Sequence, residues 1–152
     1  MPGNAFVYGT LMCEDVLTRL LRRVPVMKPA ALQGYTRYKV QGAVYPAILP
    51  TNSAAKVEGQ VLFELSEGEL DILDQYESYE YERCSVSPRL EDGSLVVADV
   101  YVWKTELQDK LGPAGWDYTS FLDHDLQAYL AVTDAFVREE LKQPDAQQQP
   151  GL

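Results

Sequence analysis

Histidine is almost missing from this sequence: His124 is the only one among 152 residues. That scarcity removes Ser-His-Asp and Cys-His machinery unless His124 itself serves it, and its surroundings read as a solvated helix. Cysteine is nearly as rare. Cys13 and Cys84 stand far apart with no CxxC spacing, which argues against a disulfide framework and against a structural zinc site. No apolar run reaches the ~20 residues a membrane helix needs, and Met1-Pro2-Gly3-Asn4 lacks the basic start of a signal peptide. Positive charge is also short, with 13 Lys and Arg against 23 Asp and Glu for a net charge of −10. A chain this acidic suits neither phosphate backbones nor anionic lipid, so neither nucleic acid nor a membrane is expected as a partner. The expectation is a cytoplasmic protein of a reducing compartment.

What is present suffices for one core. The hydrophobic fraction of 46% is ordinary for a globular domain. Residues 1–141 read as one domain, and 142–152, with Gln-Gln-Gln and two prolines, as a disordered tail. Residues 5–11 form a short apolar strand that breaks at Gly9-Thr10. Residues 15–23 carry Val16, Leu17, Leu20 and Leu21 at helical spacing, with Pro25 just beyond. Residues 31–40 and 57–65 read as strands, and Gly59 in the second marks a bulge or a close backbone approach. Pro46 demotes 44–49 to an edge or irregular strand. Ser66 with Glu69 three residues on is a capping box opening a helix through Leu70, Ile72, Leu73 and Tyr76. Residues 81–90 and 95–104 read as a hairpin turning at Asp92-Gly93, and the chain turns helical again from 119 to 141. These segments predict an α+β fold: a small mixed β-barrel of about five to seven strands with flanking helices.

With histidine and cysteine so scarce, chemistry falls to carboxylates, hydroxyls and backbone amides. Three segments invite it. Tyr8-Gly9-Thr10-Leu11 is either a strand ending at a tight turn or a loop whose successive N–H groups cradle an anion. It lacks the second glycine and the Lys of a phosphate loop. Leu73-Asp74-Gln75-Tyr76-Glu77, at a helix end, is either solvated acid or the seat of one carboxylate raised in pKa by apolar neighbours, a general base. Gly42-Ala43-Val44-Tyr45-Pro46-Ala47 is an aromatic turn, structural or a pocket rim.

In order along the chain, Phe6-Val7-Tyr8-Gly9-Thr10-Leu11, Leu32-Gln33-Gly34-Tyr35, Tyr45-Pro46-Ala47, Val57-Glu58-Gly59, Leu73-Asp74-Gln75-Tyr76-Glu77 and Tyr81-Glu82-Arg83 resemble the γ-glutamylcyclotransferase-like superfamily. The likeness is to its plant-type, avirulence-induced branch, also near γ-glutamylamine cyclotransferase, and runs from about Ala5 to Trp103. The resemblance implies a barrel cavity lined by Tyr8, Gly9, Thr10 and Leu11, facing Glu77 as general acid and base. It implies ring closure of a small-molecule γ-glutamyl substrate to 5-oxoproline with release of an amine or amino acid, and this needs neither cofactor nor metal. The loop amides would hold the α-carboxylate, with Tyr81, and more weakly Tyr45, as further binding residues. Two other readings stay open. One is a metabolite-binding or regulatory module without turnover; the other is a related acyltransferase or amide-cleaving enzyme on a specialised γ-glutamyl substrate.

Overall fold

The computed structural model describes residues 3–141, so the tail expected over 142–152 lies outside the described residues. Strand β1 (Gly3–Val7) sits inside the sheet, and its alternation splits the apolar residues between two faces. Phe6 and Tyr8 join one buried cluster with Val57, Val61, Val100 and Val102. Ala5 and Val7 join another with Leu17, Leu20, Leu62 and Leu73. The remaining elements are α1 (Glu14–Leu21), β2 (Met27–Gln33), β3 (Tyr35–Lys39), β4 (Pro46–Pro50), β5 (Lys56–Leu65), α2 (Glu67–Glu77), β6 (Tyr81–Val86), β7 (Arg89–Leu90), β8 (Ala98–Trp103), α3 (Tyr118–His124) and α4 (Leu126–Phe136).

Six strands form one sheet in the order β6-β8-β1-β5-β2-β7, while β3 and β4 make a separate two-stranded sheet. The sheet is mixed, because β1 runs parallel to β8 and antiparallel to β5. The expected barrel does not close. The reason lies at Ser87-Pro88, where the hairpin's first strand bends away: β6 stays an edge paired only with β8, and just Arg89 and Leu90 reach Ala31 and Ala30 of β2. Pro88 has no N–H to continue a ladder across the gap. Two intervening residues keep the ends of these edge strands within about 11 Å, so the sheet is strongly curled but open.

The strand expected over 31–40 is cut in two by Gly34, whose φ of +92° no β-branched residue would hold easily. That turn sends β3 to pair with the proline-flanked β4, an edge role in keeping with Pro46 and Pro50. The capping box is present, with Glu69 donating its amide to Ser66 Oγ at 3.1 Å and accepting the Ser66 amide at 3.0 Å. The helix expected over 119–141 breaks at Asp125 into α3 and α4, then ends in a π turn, Val137–Leu141. His124 closes α3 on the surface, its ring against the Ser120 carbonyl. Cys13 and Cys84 are free thiols. Among the described residues no helix is long and apolar enough to cross a membrane.

Candidate active site

The chain leaves β1 through Tyr8 and Gly9 into a single 3₁₀ turn, Thr10–Met12. A close neighbour demands glycine here, since a Cβ at Gly9 would stand 2.7 Å from the ring carbons of Pro46. Arg37 fixes the loop by donating to the Tyr8 carbonyl at 2.8 Å. The first bond of the turn runs from the Met12 amide to the Gly9 carbonyl at 3.0 Å. The amides of Gly9, Thr10 and Leu11 precede that bond and have no partner within the turn.

Opposite the loop, α2 buries Leu70 and Leu73 and delivers Glu77 as its last residue. Ser78 stops the helix abruptly, with φ 71° and ψ −172° while its amide still bonds the Asp74 carbonyl. That corner of backbone space belongs almost wholly to glycine and costs a serine about 1–3 kcal/mol. Ser78→Gly is therefore expected to raise stability by about 1 kcal/mol, after the extra chain entropy of glycine is subtracted. A thermal melt showing no gain would mean the strain is not there.

Loop and helix end face each other across a cavity of about 220 Å³. All seven residues singled out in the sequence, Tyr8, Gly9, Thr10, Leu11, Tyr45, Glu77 and Tyr81, line it. Three further tyrosines, Tyr76, Tyr101 and Tyr129, complete the wall, with Val132 and Phe136 of α4 beside them. Each sits on a largely buried face of its helix or strand, where a tyrosine carries a hydroxyl that must find a partner.

Most of the hydroxyls are held by partners within the protein, in separate groups. Tyr8 donates to the Tyr101 carbonyl at 2.6 Å and accepts from the Ile48 amide; Tyr101 donates to Asp74 Oδ1 at 2.6 Å. Tyr76 donates to Tyr129 at 2.6 Å, and Tyr129 meets Thr10 Oγ1 at 3.0 Å. Tyr81 donates to the Pro46 carbonyl at 2.9 Å, so its proton is committed to the protein. Tyr45 alone of the six makes no hydroxyl bond among the described residues, which leaves it free to meet a ligand.

Glu77 keeps some surface exposure through the cavity mouth, but its carboxyl is the enclosed end. Among the described residues nothing hydrogen-bonds it or pairs with its charge, and burial pushes its pKa up to about 8. Burial also raises the hydroxyls of all six tyrosines, with the charge of Glu77 adding to each shift. They stay neutral at ordinary pH. Among the described residues no Lys, Arg or His lines the cavity.

One enclosed carboxyl that has no partner among the described residues, set among neutral hydroxyls and the loop amides, has the chemistry suited to moving a proton on a small polar molecule. Comparison with known proteins agrees with that class. Residues 5–119 match the family model described as γ-glutamyl cyclotransferase, AIG2-like. AIG2-like protein D of Arabidopsis thaliana is 39% identical over 147 residues, 95% of this chain and 94% of the relative. A solution structure of another Arabidopsis thaliana protein superimposes with a TM-score of 0.66 at 30% identity, covering 96% of this chain and 87% of that one. A structure titled γ-glutamyl cyclotransferase shares the fold, with a TM-score of 0.62 at 16% identity over 89% of this chain and 88% of that one. The chain belongs to the AIG2-like γ-glutamyl cyclotransferase family. Helix α4 lies beyond the segment the family model matches.

Proposed function

We propose that the protein is a γ-glutamyl cyclotransferase that releases 5-oxoproline, with Glu77 as its general acid and base. The observation that carries this reading is the carboxyl of Glu77, unpartnered among the described residues, facing across one small cavity the amides of residues 9–11, which bond nothing within their turn. The substrate brings its own nucleophile, so the protein supplies placement and proton transfer. The amides of Gly9, Thr10 and Leu11 hold the α-carboxylate and turn the α-amine toward the γ-carbonyl. Ionised Glu77 takes a proton from the α-ammonium, and the freed amine attacks the γ-carbon. As the tetrahedral centre collapses, the bond from that carbon to the outgoing nitrogen breaks, and Glu77 returns a proton to that nitrogen. Over the sequence two protons leave the attacking nitrogen and two arrive on the departing one, which leaves as an ammonium. The free hydroxyl of Tyr45 is the donor available to the developing oxyanion.

The test is 5-oxoproline release by purified protein across γ-glutamyl dipeptides, glutathione and γ-glutamyl-ε-lysine. Calorimetric binding of one of these without product would make the protein a binding module instead. The pH dependence is a second check. Glu77 must be ionised to act as the base, and its pKa in the empty site is about 8. Thus kcat/KM is expected to rise about tenfold per pH unit below that value and to level off above it, since kcat/KM reports the free enzyme's groups. A profile flat from about pH 6 to 9 would exclude the role given to Glu77.

A further inference from the structure

Thr10 and Thr133 are both buried, and one row of hydrogen bonds joins their hydroxyls. Tyr76 Oη meets Thr133 Oγ1 at 2.8 Å and donates to Tyr129 Oη at 2.6 Å, and Tyr129 Oη meets Thr10 Oγ1 at 3.0 Å. Each hydroxyl has a single proton to give. Tyr76 spends its own on Tyr129, so Thr133 is the donor toward Tyr76, while it also reaches the Tyr129 carbonyl at 3.1 Å. The line between Tyr129 and Thr10 then holds one proton for two hydroxyls. The other proton has no acceptor among the described residues, and both residues line the cavity.

Resting on the proposed cyclotransferase reading, we infer that Tyr129 is a positioning residue for the substrate's α-carboxylate, acting through the hydroxyl of Thr10. An anion held by the amides of residues 9–11 lies beside the side chain of Thr10, whose proton turns freely about its Cβ–Oγ bond. A phenol proton, by contrast, stays near the plane of its ring. The anion therefore draws the Thr10 proton, and Tyr129 fills the line by donating to Thr10 Oγ1. From Thr133 through Tyr76 and Tyr129 to Thr10, every proton then runs toward the anion. Each donation in such a row strengthens the next, and the last, to a charged group, is the strongest. The Tyr129 ring meets Phe121 and Tyr76 edge-on, with centroids 5.4 and 6.4 Å away, and these contacts fix where its oxygen stands. Tyr129 and Thr133 belong to α4, so this hold on the loop comes from beyond the segment the family model matches.

Three variants decide it: Tyr129→Phe, Thr10→Val and the two combined, each followed by 5-oxoproline release from the γ-glutamyl compound that the unchanged protein turns over best. Phenylalanine keeps the ring and valine keeps the shape, so each change removes a hydroxyl and little else. The carboxylate is gripped alike in the ground state and the transition state, so the loss should fall on KM and leave kcat within about twofold. KM is expected to rise about tenfold for Thr10→Val and about fivefold for Tyr129→Phe. The combined variant should stand no more than about twofold above Thr10→Val alone, because Tyr129 then has no hydroxyl left to direct. A KM unmoved by Tyr129→Phe, a fall in kcat in its place, or losses that multiply in the combined variant would make Tyr129 a packing residue. Any of these would overturn the inference and leave the cyclotransferase reading standing. So would a KM unmoved by Thr10→Val, since the phenol would then act without it. Absence of 5-oxoproline from every γ-glutamyl compound, including glutathione, would sink both together.

Discussion

Glu77→Gln is expected to cut 5-oxoproline release by about 10²–10⁴-fold, the usual worth of a positioned general acid–base group, while making the protein more stable. The two effects share one cause. The carboxyl is enclosed with no partner among the described residues, and its pKa stands near 8 against about 4.3 in an unfolded chain. A carboxyl raised in this way favours the fold fully below the unfolded value. That contribution is lost as pH rises toward the folded value. At pH 7 the carboxyl must either hold a proton against bulk solution or ionise without compensation. Glutamine keeps the shape and never meets that choice. Water at the mouth and the amide's own unmet hydrogen bonds trim the gain, leaving about 1–2 kcal/mol at pH 7 and almost none at pH 4. For a domain of this size that is a rise of about 2–8 °C in Tm. Melts of both proteins at the two pH values, beside rate measurements, separate the outcomes. Undiminished turnover would remove Glu77 from the mechanism, and a Tm unchanged at pH 7 would mean the carboxyl is not desolvated as described.

Which features could be read from sequence follows from the range of the forces involved. The capping box of Ser66 and Glu69, the helix it starts and the strand broken at Gly9 depend on residues a few positions apart, and pattern alone placed them. The seven candidate site residues all reach one cavity because each lies at the end of a strand or helix whose type was legible. The hydroxyl contacts escaped for the opposite reason. Tyr8 meets the carbonyl of Tyr101 across 93 positions, and Thr10 meets Tyr129 across 119, pairings no local pattern encodes. Closure of the sheet was overread for a similar reason. Whether an edge finds a partner depends on a bend at Ser87-Pro88 and on two residues reaching β2, while the strands themselves look alike in an open or a closed sheet. Nor did any residue type announce the break at Asp125 or the strained stop at Ser78, since neither is glycine or proline.

Gly59→Ala is expected to be the most damaging single methyl addition in the sheet. The backbone at Gly59 is ordinary in φ, so the demand for glycine is one of space. A Cβ there would lie 2.2 Å from the Val7 carbonyl oxygen, 3.0 Å from the Phe6 ring and 3.2 Å from the Tyr8 Cα. Two of these neighbours are backbone, which cannot rotate aside. β5 is laddered to β1 on one side and to β2 on the other, with Gly59 opposite Ala30, so the strand has no free direction to retreat. The overpacking penalty should therefore sit at or above the upper end of the usual range, about 3 kcal/mol, or a fall of roughly 6–12 °C in Tm. Activity should suffer beyond what lost folded protein explains, because Val7 and Tyr8 set where the amides of residues 9–11 point. Gly68→Ala supplies the contrast. Its Cβ would meet nothing nearer than Ser66 Oγ at 3.9 Å, in the first turn of α2, and alanine is the better helix former, so a neutral or slightly stabilising change is expected there. If Gly59→Ala melts with the unaltered protein and keeps its kcat/KM, then β5 does not press against the end of β1, and the loop that faces Glu77 is held by something other than this contact.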